Sequence, residues 1–251
     1  MPTNRPFVLT IAGFDPSGGA GVLADIKTFE QHQVYGLAIN TGNTIQTENL
    51  FHEMHWTDLD FVLRSIKILF EKYDIKGVKI GIIPSLTYLK SIVLEIKKLS
   101  PKTTIIWDTI LKSTTDYEFI SIENKSTFIE IIQHIDLITP NYIELSKLSP
   151  IGISATTTAQ ELSKHCAVLL KGGHRLEMKG VDELYFNGEV IKILPKTSII
   201  HEKHGSGCVL SAAILANITL KHDLPSACTN AKIYIEKYLN SNNTLIGYHY
   251  V

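Results

Sequence analysis

The feature that most constrains this chain is the repeated alternation of short apolar strands with amphipathic helical stretches. The strand-like runs are Phe7 to Ala12, Leu37 to Thr41, Val78 to Ile80, Thr104 to Trp107, Leu137 to Thr139 and Ala167 to Leu170. The helical stretches are Ala20 to Gln31, Ser85 to Leu99, Ser126 to Ile135, Thr156 to His165, Ser206 to Leu220 and Leu224 to Leu239. This alternation predicts an α/β fold with a mainly parallel sheet and helices on both faces. Ligands bind such folds beyond the carboxyl ends of the strands.

Two local patterns add a helix and a hairpin to this prediction. One helix face is indicated by the apolar residues Leu59, Val62, Leu63, Ile66 and Phe70. Thr57 is the predicted N-cap of that helix. The run from Leu184 to Ile191 contains Asn187-Gly188, which is typical of a type I′ turn between two antiparallel strands.

The composition limits the size of the fold and the class of partner. With 251 residues and 44% hydrophobic content, the chain is predicted to form one domain over residues 1–251. Its formal net charge of −1 provides no global field for nucleic acid or an anionic membrane. Any anion must therefore be bound locally. We expect exposed sheet edges and the Asn-Gly hairpin to support a homodimer.

The cysteines and the apolar runs indicate the compartment. Cys166, Cys208 and Cys228 are odd in number and lack the spacing of metal ligands. They favour a reducing compartment and argue against both a disulfide framework and a zinc site. The run Phe7 to Ala12 is too short for a signal-peptide core, and no run approaches the length of a membrane span. We therefore expect a soluble, cytoplasmic protein.

A glycine-rich turn before the helix at Ser206 is the strongest candidate for chemistry. The sequence His204-Gly205-Ser206-Gly207-Cys208 leaves backbone N–H groups free to surround a phosphate at a helix N-terminus. The same position predicts a lowered pKa for the Cys208 thiol, and so a base beside that phosphate. The alternative interpretations are a closely packed turn and a small buried cysteine.

A second glycine-rich turn follows the first strand. Four glycines lie between residues 13 and 21, where they allow the backbone to approach a ligand closely. This turn is not a Walker A loop, because no Gly-Lys-Ser/Thr follows. It also lacks the usual glycine spacing of a dinucleotide-binding fold.

Polar residues near other strand ends are candidates for substrate and metal binding. Gln46 offers a carboxamide that suits the edge of an aminopyrimidine ring, although such a residue taken alone is more often an ordinary loop residue. Asp108, Asn141 and Glu144 offer oxygen ligands for nucleotide-bound Mg²⁺. The alternatives are an N-cap for Asn141 and a helix-dipole partner for Glu144.

A lysine beside two glycines ends another predicted strand. In Lys171-Gly172-Gly173-His174 the lysine is a candidate phosphate contact, and the alternative is a solvated lysine in a turn. His201 and His204 do not have the spacing of a helical metal-binding pair, so we interpret them as loop residues.

Taken in chain order, these segments resemble the hydroxymethylpyrimidine/phosphomethylpyrimidine kinase family of thiamine biosynthesis, a branch of the ribokinase-like kinases. The matching motifs are Ala12-Gly13, Asp15-Pro16-Ser17-Gly18-Gly19-Ala20-Gly21, Ala24-Asp25 with Lys27, Gln46, Lys79-Ile80-Gly81, Asp108, Thr139-Pro140-Asn141 with Glu144, Lys171-Gly172-Gly173-His174 and His204-Gly205-Ser206-Gly207-Cys208. The resemblance implies a ribokinase-like three-layer α/β/α sandwich with a mainly parallel central sheet.

The resemblance also implies an activity and a set of site residues. The activity is transfer of the ATP γ-phosphoryl group to 4-amino-5-hydroxymethyl-2-methylpyrimidine, and then to its monophosphate, with Mg²⁺ as cofactor. The implied substrate residues are Gln46, Gly13, Ala20, Asp25, Thr44 and Ile82. Those implied for ATP are Lys171, Gly173, Gly205, Ser206 and Gly207. Those implied for catalysis are Cys208, Gly205 and Gly207, and those for Mg²⁺ are Glu144, Asn141 and Asp108.

Several positions depart from the family pattern. Ser206 replaces the commoner threonine, and Thr47-Glu48 and Glu202-Lys203 stand where Asn-Thr is common. The segment from Asp108 to Thr114 matches only in part. Pyridoxine or pyridoxal kinase, which shares the fold, is therefore an alternative. A non-catalytic nucleotide- or ligand-binding protein is the alternative from another class.

Overall fold

The computed structural model describes residues 4–110, 124–173, 178, 180–197 and 201–250. In these ranges the strands are β1 (Phe7–Phe14), β2 (Tyr35–Gln46), β3 (Phe51–Trp56), β4 (Ile75–Ile80), β5 (Thr104–Trp107), β6 (Leu137–Ile138), β7 (Ala167–Leu170), β8 (Asp182–Phe186) and β9 (Glu189–Ile193). The helices are α1 (Gly21–Gln31), α2 (Leu59–Lys72), α3 (Leu86–Leu99), α4 (Lys125–Ile132), α5 (Tyr142–Leu148), α6 (Ala155–Leu162), α7 (Ser206–Thr219) and α8 (Leu224–Leu239). Within the described ranges, each helix is too short or too polar to traverse a lipid bilayer.

All these strands join in a single sheet. Its order is β3-β2-β1-β4-β5-β6-β7-β8-β9. Strands β2, β1, β4, β5, β6 and β7 run parallel, while β3, β8 and β9 are antiparallel to their neighbours. The direction in which strands are added reverses at β1, which lies between β2 and β4. A crevice opens at the carboxyl end of strands beside such a reversal.

Each face of the sheet buries its own hydrophobic core. Successive residues of β1 point to opposite faces, so Val8 and Leu9 belong to different cores. Leu9 packs with Ile92 of α3 and other residues of α2 to α6. Val8 packs with Phe29 of α1 and Ile214 of α7. This confirms the predicted three-layer α/β/α architecture with a mainly parallel sheet.

Several elements coincide with their predicted bounds. Strands β5 and β7 and helix α8 begin and end at the predicted residues. The turn between β8 and β9 has φ of +53° at Asn187 and +80° at Gly188, as a type I′ turn requires.

The region around β2 differs from the prediction. Strand β2 extends beyond Leu37 to Thr41 on both sides, so Gln46 ends a strand and does not lie in a loop. The unpredicted strand β3 pairs with β2 and brings Trp56 opposite Gly42. Its sequence places His52, Glu53 and His55 between apolar residues on a largely exposed edge, so it lacks the continuous apolar run of the inner strands.

The predicted ends of three helices also differ from the structure. The N-cap of α2 is Asp58 and not Thr57, because the Asp58 carboxylate accepts from the N–H groups of Asp60 and Phe61 at 2.9 and 3.4 Å. The Thr57 N–H donates instead to Thr41 O at 2.8 Å. Helices α4 and α6 end at Ile132 and Leu162, about one turn before their predicted ends.

Candidate active site

The two glycine-rich turns lie in contact. We call residues 13–21 the first corner and residues 204–208 the second corner. A Cβ atom on Gly205 would lie 2.0 Å from the carbonyl oxygen of Gly19 and 2.7 Å from the Cα of Ala20. Gly205 has φ of +71°, a conformation that favours glycine. The close approach of the two backbones therefore depends on the absence of a side chain at residue 205.

Asp15 shapes the first corner. Its carboxylate accepts hydrogen bonds from the Ser17 N–H at 2.9 Å, the Ser17 hydroxyl at 2.8 Å and the Ala20 N–H at 2.9 Å. The Lys27 ammonium donates a hydrogen bond to Gly18 O at 2.8 Å. Burial acts to raise the pKa of Asp15, but hydrogen bonds from His204 and Ser17 outweigh burial and hold that pKa below its usual range. The first corner is thus closed around an ionised carboxylate.

The second corner begins helix α7. Gly205 is the N-cap and, having no side chain, forms no side-chain cap. The first N–H groups of a helix have no partner within the helix, and they attract anions. Gly205 lies against Gly19 and Ala20 of the first corner, so an anion bound at the start of α7 would also be close to the first corner.

Cys208 lies in the first turn of α7, and its side chain is almost wholly buried. Burial raises the pKa of Cys208 to about 11, against the opposing effects of the Lys79 charge and the Gly21 N–H. The predicted lowering of this pKa is therefore wrong. Removing the thiolate from water raises this pKa more than the Lys79 charge and the Gly21 N–H lower it.

Asp25 and Lys79 form a buried ion pair near Cys208. Both side chains have an exposed fraction of 0%. Asp25 accepts from the Lys79 ammonium at 2.9 and 3.0 Å and from the Thr10 hydroxyl at 2.5 Å. Burial pushes the pKa of Lys79 down, but the Asp25 carboxylate outweighs it, so this pKa lies above its ordinary value. Asp25 therefore lies beneath the surface in this structure, and its predicted role in substrate binding stays a prediction.

Lys171 lies between Asp108 and the second corner. Its ammonium is 3.0 Å from Asp108 Oδ1 and would lie 3.3 Å from a Cβ atom on Gly207. Asp108 also accepts from the hydroxyls of Thr139 at 3.0 Å and Ser211 at 3.3 Å. Burial raises the pKa of Asp108, but Lys171 and Lys79 outweigh it and hold the pKa below its usual range. Lys171 is thus a fixed cation beside the second corner, not a solvated lysine.

Asn141 and Glu144 form a capping box at the start of α5. The Asn141 N–H donates to Glu144 Oε2 at 2.7 Å, and the Glu144 N–H donates to Asn141 Oδ1 at 2.8 Å. Burial raises the pKa of Glu144 to about 7, and the nearby Lys171 opposes that rise. The alternative interpretation of Asn141 as an N-cap is therefore present in the structure.

Asp108 and Glu144 are the two carboxylates near Lys171. They suit a metal ion that is bound to a nucleotide better than one held by protein side chains alone. In the described part of the chain, no three His, Cys, Asp or Glu side chains form a cluster that could hold a metal. Mg²⁺ bound to a nucleotide keeps phosphate and water ligands and needs only one or two carboxylates from the protein. Asp108 and Glu144 interact with each other and with Lys171, so they fit that requirement.

The predicted substrate residues other than Asp25 lie near the carboxyl ends of β1 and β2. A Cβ atom on Gly13 would lie 2.4 Å from Cδ1 of Ile82, so these residues are in contact. The Thr44 hydroxyl donates to Phe14 O at 3.0 Å. Ala20 lies in the first corner, and Gln46 is half-buried at the end of β2.

The glycine pair after Lys171 is held by buried charges from β8 and α8. The Gly172 N–H donates to Asp182 Oδ1 at 2.8 Å. Lys232 donates to Asp182 Oδ2 at 2.8 Å and to Gly180 O at 2.7 Å. Gly173 has open space where a Cβ atom would be. The predicted motif residue His174 and the partly matching Lys112-Ser113-Thr114 lie outside the described residues.

Sequence reasoning gave no individual role to four side chains of the site: Thr10, Lys79, Asp15 and His204. His204 Nε2 lies 2.8 Å from Asp15 Oδ2, so His204 is not a simple loop residue. A lysine between Val78 and Ile80, in an otherwise apolar strand, was the available signal for a buried ion pair. Asp15 precedes Pro16-Ser17, a pattern that indicates a turn closed by the aspartate side chain.

Comparison with known proteins shows what the chain is similar to. The family described as phosphomethylpyrimidine kinase matches residues 15–250. The hydroxymethylpyrimidine/phosphomethylpyrimidine kinase of Aquifex aeolicus is 36% identical over 256 residues, which cover 94% of this chain and 95% of that protein.

Solved structures have the same fold. A phosphomethylpyrimidine kinase from Clostridium difficile superposes with a TM-score of 0.76 at 30% identity, covering 92% of this chain and 98% of that one. A Bacillus subtilis pyridoxal kinase in an ADP complex gives a TM-score of 0.78 at 26% identity, covering 94% of this chain and 92% of that one.

Proposed function

Because the chain belongs to the phosphomethylpyrimidine kinase family, we propose that it is a hydroxymethylpyrimidine and phosphomethylpyrimidine kinase of thiamine biosynthesis. It transfers the γ-phosphoryl group of ATP to the hydroxymethyl group of 4-amino-5-hydroxymethyl-2-methylpyrimidine. It then transfers a second phosphoryl group to the monophosphate, giving the diphosphate.

The observation that carries this proposal is the contact between the two corners. Gly205 lies against Gly19, and Lys171 lies beside Gly207. Cys208 lies in the first turn of α7. Phosphoryl transfer asks the protein mainly to align the reactants and to neutralise the charge on the phosphoryl oxygens. A small alcohol bound near Gly13, Ala20, Thr44, Ile82 and Gln46 would meet a nucleotide phosphate held by the second corner.

Each residue has a distinct part in the proposed transfer. The N–H groups of Gly205, Ser206 and Gly207 and the ammonium of Lys171 bind the phosphoryl oxygens. Gly173 allows the nucleotide to approach the turn after Lys171. Cys208, as the thiolate, takes the proton from the attacking hydroxyl group in the first transfer. The second transfer needs no such base, because a phosphate monoester with a second pKa of about 6 is already largely anionic at neutral pH.

Glu144, with Asp108 and Asn141 nearby, would hold Mg²⁺ through the nucleotide phosphates. When bound, the ion would supply charge neutralisation for the transferred group. The expected consequence for this chain is that Glu144→Gln raises the Mg²⁺ concentration needed for half-maximal rate without changing the affinity for the pyrimidine.

A coupled ADP assay with MgATP and the hydroxymethylpyrimidine tests the function directly. Mass spectrometry of the products should show the monophosphate first and the diphosphate later. Absence of ADP release with every alcohol tried would contradict the kinase proposal and favour the non-catalytic nucleotide-binding alternative.

A pyridoxal kinase is the second candidate, since a structure of that name from Bacillus subtilis covers 94% of this chain. Pyridoxal and the hydroxymethylpyrimidine both carry a hydroxymethyl group on a six-membered nitrogen ring. Turnover of the two alcohols side by side, compared as kcat/KM, separates the candidates.

The remaining features of the proposal are a single domain over residues 1–251, a homodimer and a cytoplasmic location. Sedimentation velocity over a range of protein concentrations tests the dimer. A sedimentation coefficient of one chain at every concentration would contradict it.

A further inference from the structure

His204 brings the second corner onto the carboxylate that builds the first. Its Nε2 atom lies 2.8 Å from Asp15 Oδ2, the oxygen that also accepts from the N–H of Ala20. An ionised carboxylate only accepts hydrogen bonds, so Nε2 carries the hydrogen of this bond. The Nδ1 atom is buried and has no hydrogen-bond partner among the described residues. Within the part of the chain that the structure describes, the only hydrogen bond of the imidazole is therefore the one to Asp15.

The two corners are tightly packed where they meet. A Cβ atom on Gly19 would lie 2.9 Å from Cδ2 of His204, and one on Gly205 would lie 2.0 Å from Gly19 O. Protein interiors are packed as densely as organic crystals, so a shift of either corner would produce a clash or a void. The hydrogen bond and the packing together determine how far apart the corners lie.

Residues 242–246 hold the backbone around His204. The His204 N–H donates to Leu245 O at 2.9 Å. Lys203 donates to Asn242 O at 2.7 Å and to Thr244 O at 2.6 Å. Ile246 Cδ1 would lie 3.1 Å from a Cβ atom on Gly19, so the segment contacts both corners. The backbone of His204 is thus fixed independently of its side chain.

We propose that Asp15 and His204 are positioning residues for phosphoryl transfer, whose hydrogen bond sets the distance between the acceptor alcohol at the first corner and the phosphoryl group at the second. The inference rests on the proposed function. Neither side chain is a catalytic residue, because each acts through the backbone of its own corner. Transfer rates depend steeply on such distances, and a misplacement of about 1 Å costs on the order of 100-fold.

Two substitutions at residue 204 separate positioning from mere stability. His204→Leu removes the donor, whereas His204→Gln retains an N–H group at a similar reach. We expect His204→Leu to lower kcat at least about tenfold, with KM for ATP and for the alcohol changing much less. We expect His204→Gln to restore most of kcat. His249→Leu is the matched control, because His249 also packs its ring against a neighbouring side chain, Tyr238, at 4.8 Å, but forms no hydrogen bond between the corners among the described residues.

Amide hydrogen exchange gives a readout that does not depend on activity. The peptide covering residues 13–21 should lose protection in His204→Leu and keep it in His204→Gln. Asp15→Asn should show the same loss, and the double variant Asp15→Asn/His204→Leu should be no slower in transfer than the worse single variant. If His204→Leu does not fold, Asp15→Asn and His204→Gln alone provide the comparison.

The outcomes distinguish this inference from the proposed function. A wild-type enzyme that phosphorylates no alcohol contradicts the function, while the exchange experiment still tests the link between the corners. Unchanged kcat and unchanged exchange in His204→Leu would overturn the positioning role. An equal loss of kcat in His204→Leu, His204→Gln and the His249→Leu control would overturn it as well.

Discussion

Cys208 is a thiol at neutral pH in this structure, because burial raises its pKa to about 11. A thiol is a very poor proton acceptor, so with Cys208 as the proposed base the first transfer would depend on the small thiolate fraction. That fraction increases about tenfold per pH unit well below the pKa.

We therefore expect the first transfer to accelerate with pH from about pH 7 to about pH 9, measured in single turnovers with saturating MgATP. The second transfer is the internal control and should be nearly flat over that range, since its acceptor is already ionised above a pKa of about 6. A first transfer with no dependence on pH would show that Cys208 is not the base.

The corresponding substitution is Cys208→Ala. Loss of a general base typically lowers a rate by about 10²- to 10⁴-fold, so the first transfer should slow much more than the second. The two rates are measured separately, starting from the alcohol or from the monophosphate. Cys228→Ala is the matched control, because Cys228 is buried in the core on α8 and away from the corners. Equal losses in both transfers would contradict the assignment.

The buried ion pair between Lys79 and Asp25 gives a prediction about stability at the scale of single residues. Lys79→Met leaves the Asp25 carboxylate fully buried without its cation, which is expected to cost about 3–5 kcal/mol of unfolding free energy. Lys79→Met/Asp25→Asn removes both charges and should recover much of that loss. Urea unfolding measures the difference, and equal stability of the single and double variants would contradict the pairing.

At the scale of elements, helix α7 depends on the residue at which it begins. Gly205→Ala places a Cβ atom 2.0 Å from Gly19 O in a residue with φ of +71°. We expect a loss of more than about 1 kcal/mol in unfolding free energy. We also expect MgADP to raise the thermal stability of the wild type but not of this variant, because the variant cannot keep the contact between the corners.

Gly152→Ala is the control for Gly205→Ala. Gly152 has a φ of +81° but open space around the position of a Cβ atom, so it reports the backbone strain without the clash. If both variants lose the same stability and both keep the MgADP effect, the contact between the corners is not needed for nucleotide binding.

Prediction of elements from the sequence succeeded where a strand is buried on both faces. Strands β5 and β7 are continuous apolar runs in the middle of the sheet, and their bounds were predicted correctly. Strand β3 was missed because it is an edge strand with little apolar patterning, and its pairing with β2 is a tertiary effect. The roles of Lys79 and His204 were not predicted for a related reason. Their roles depend on partners 54 and 189 positions away in the chain.

At the scale of the whole molecule, the two cores share one sheet. Helix α7 packs on β1, β4 and β5 and also on α1 and α8, so its burial depends on most of the chain. We expect a single cooperative unfolding transition, with coincident near- and far-UV circular dichroism curves in urea. Two separate transitions would contradict the prediction of one domain.

The sequence predicted the fold class and the residues of both corners, but not the order of the strands or the contact between the corners. Alternation of strands and helices is a local property and is visible in the sequence. The insertion of β1 between β2 and β4 follows from how all the layers pack together.

The separation of Asp15 from His204 by 189 positions has a consequence for biosynthesis. During translation the first corner leaves the ribosome long before the second corner is made. A nascent chain that ends before residue 208 therefore lacks one half of the proposed site. Contacts of such long range are formed slowly, because the intervening chain must first be ordered. The two corners can therefore meet only after synthesis has passed residue 208, and on the proposed mechanism no phosphoryl transfer precedes that point.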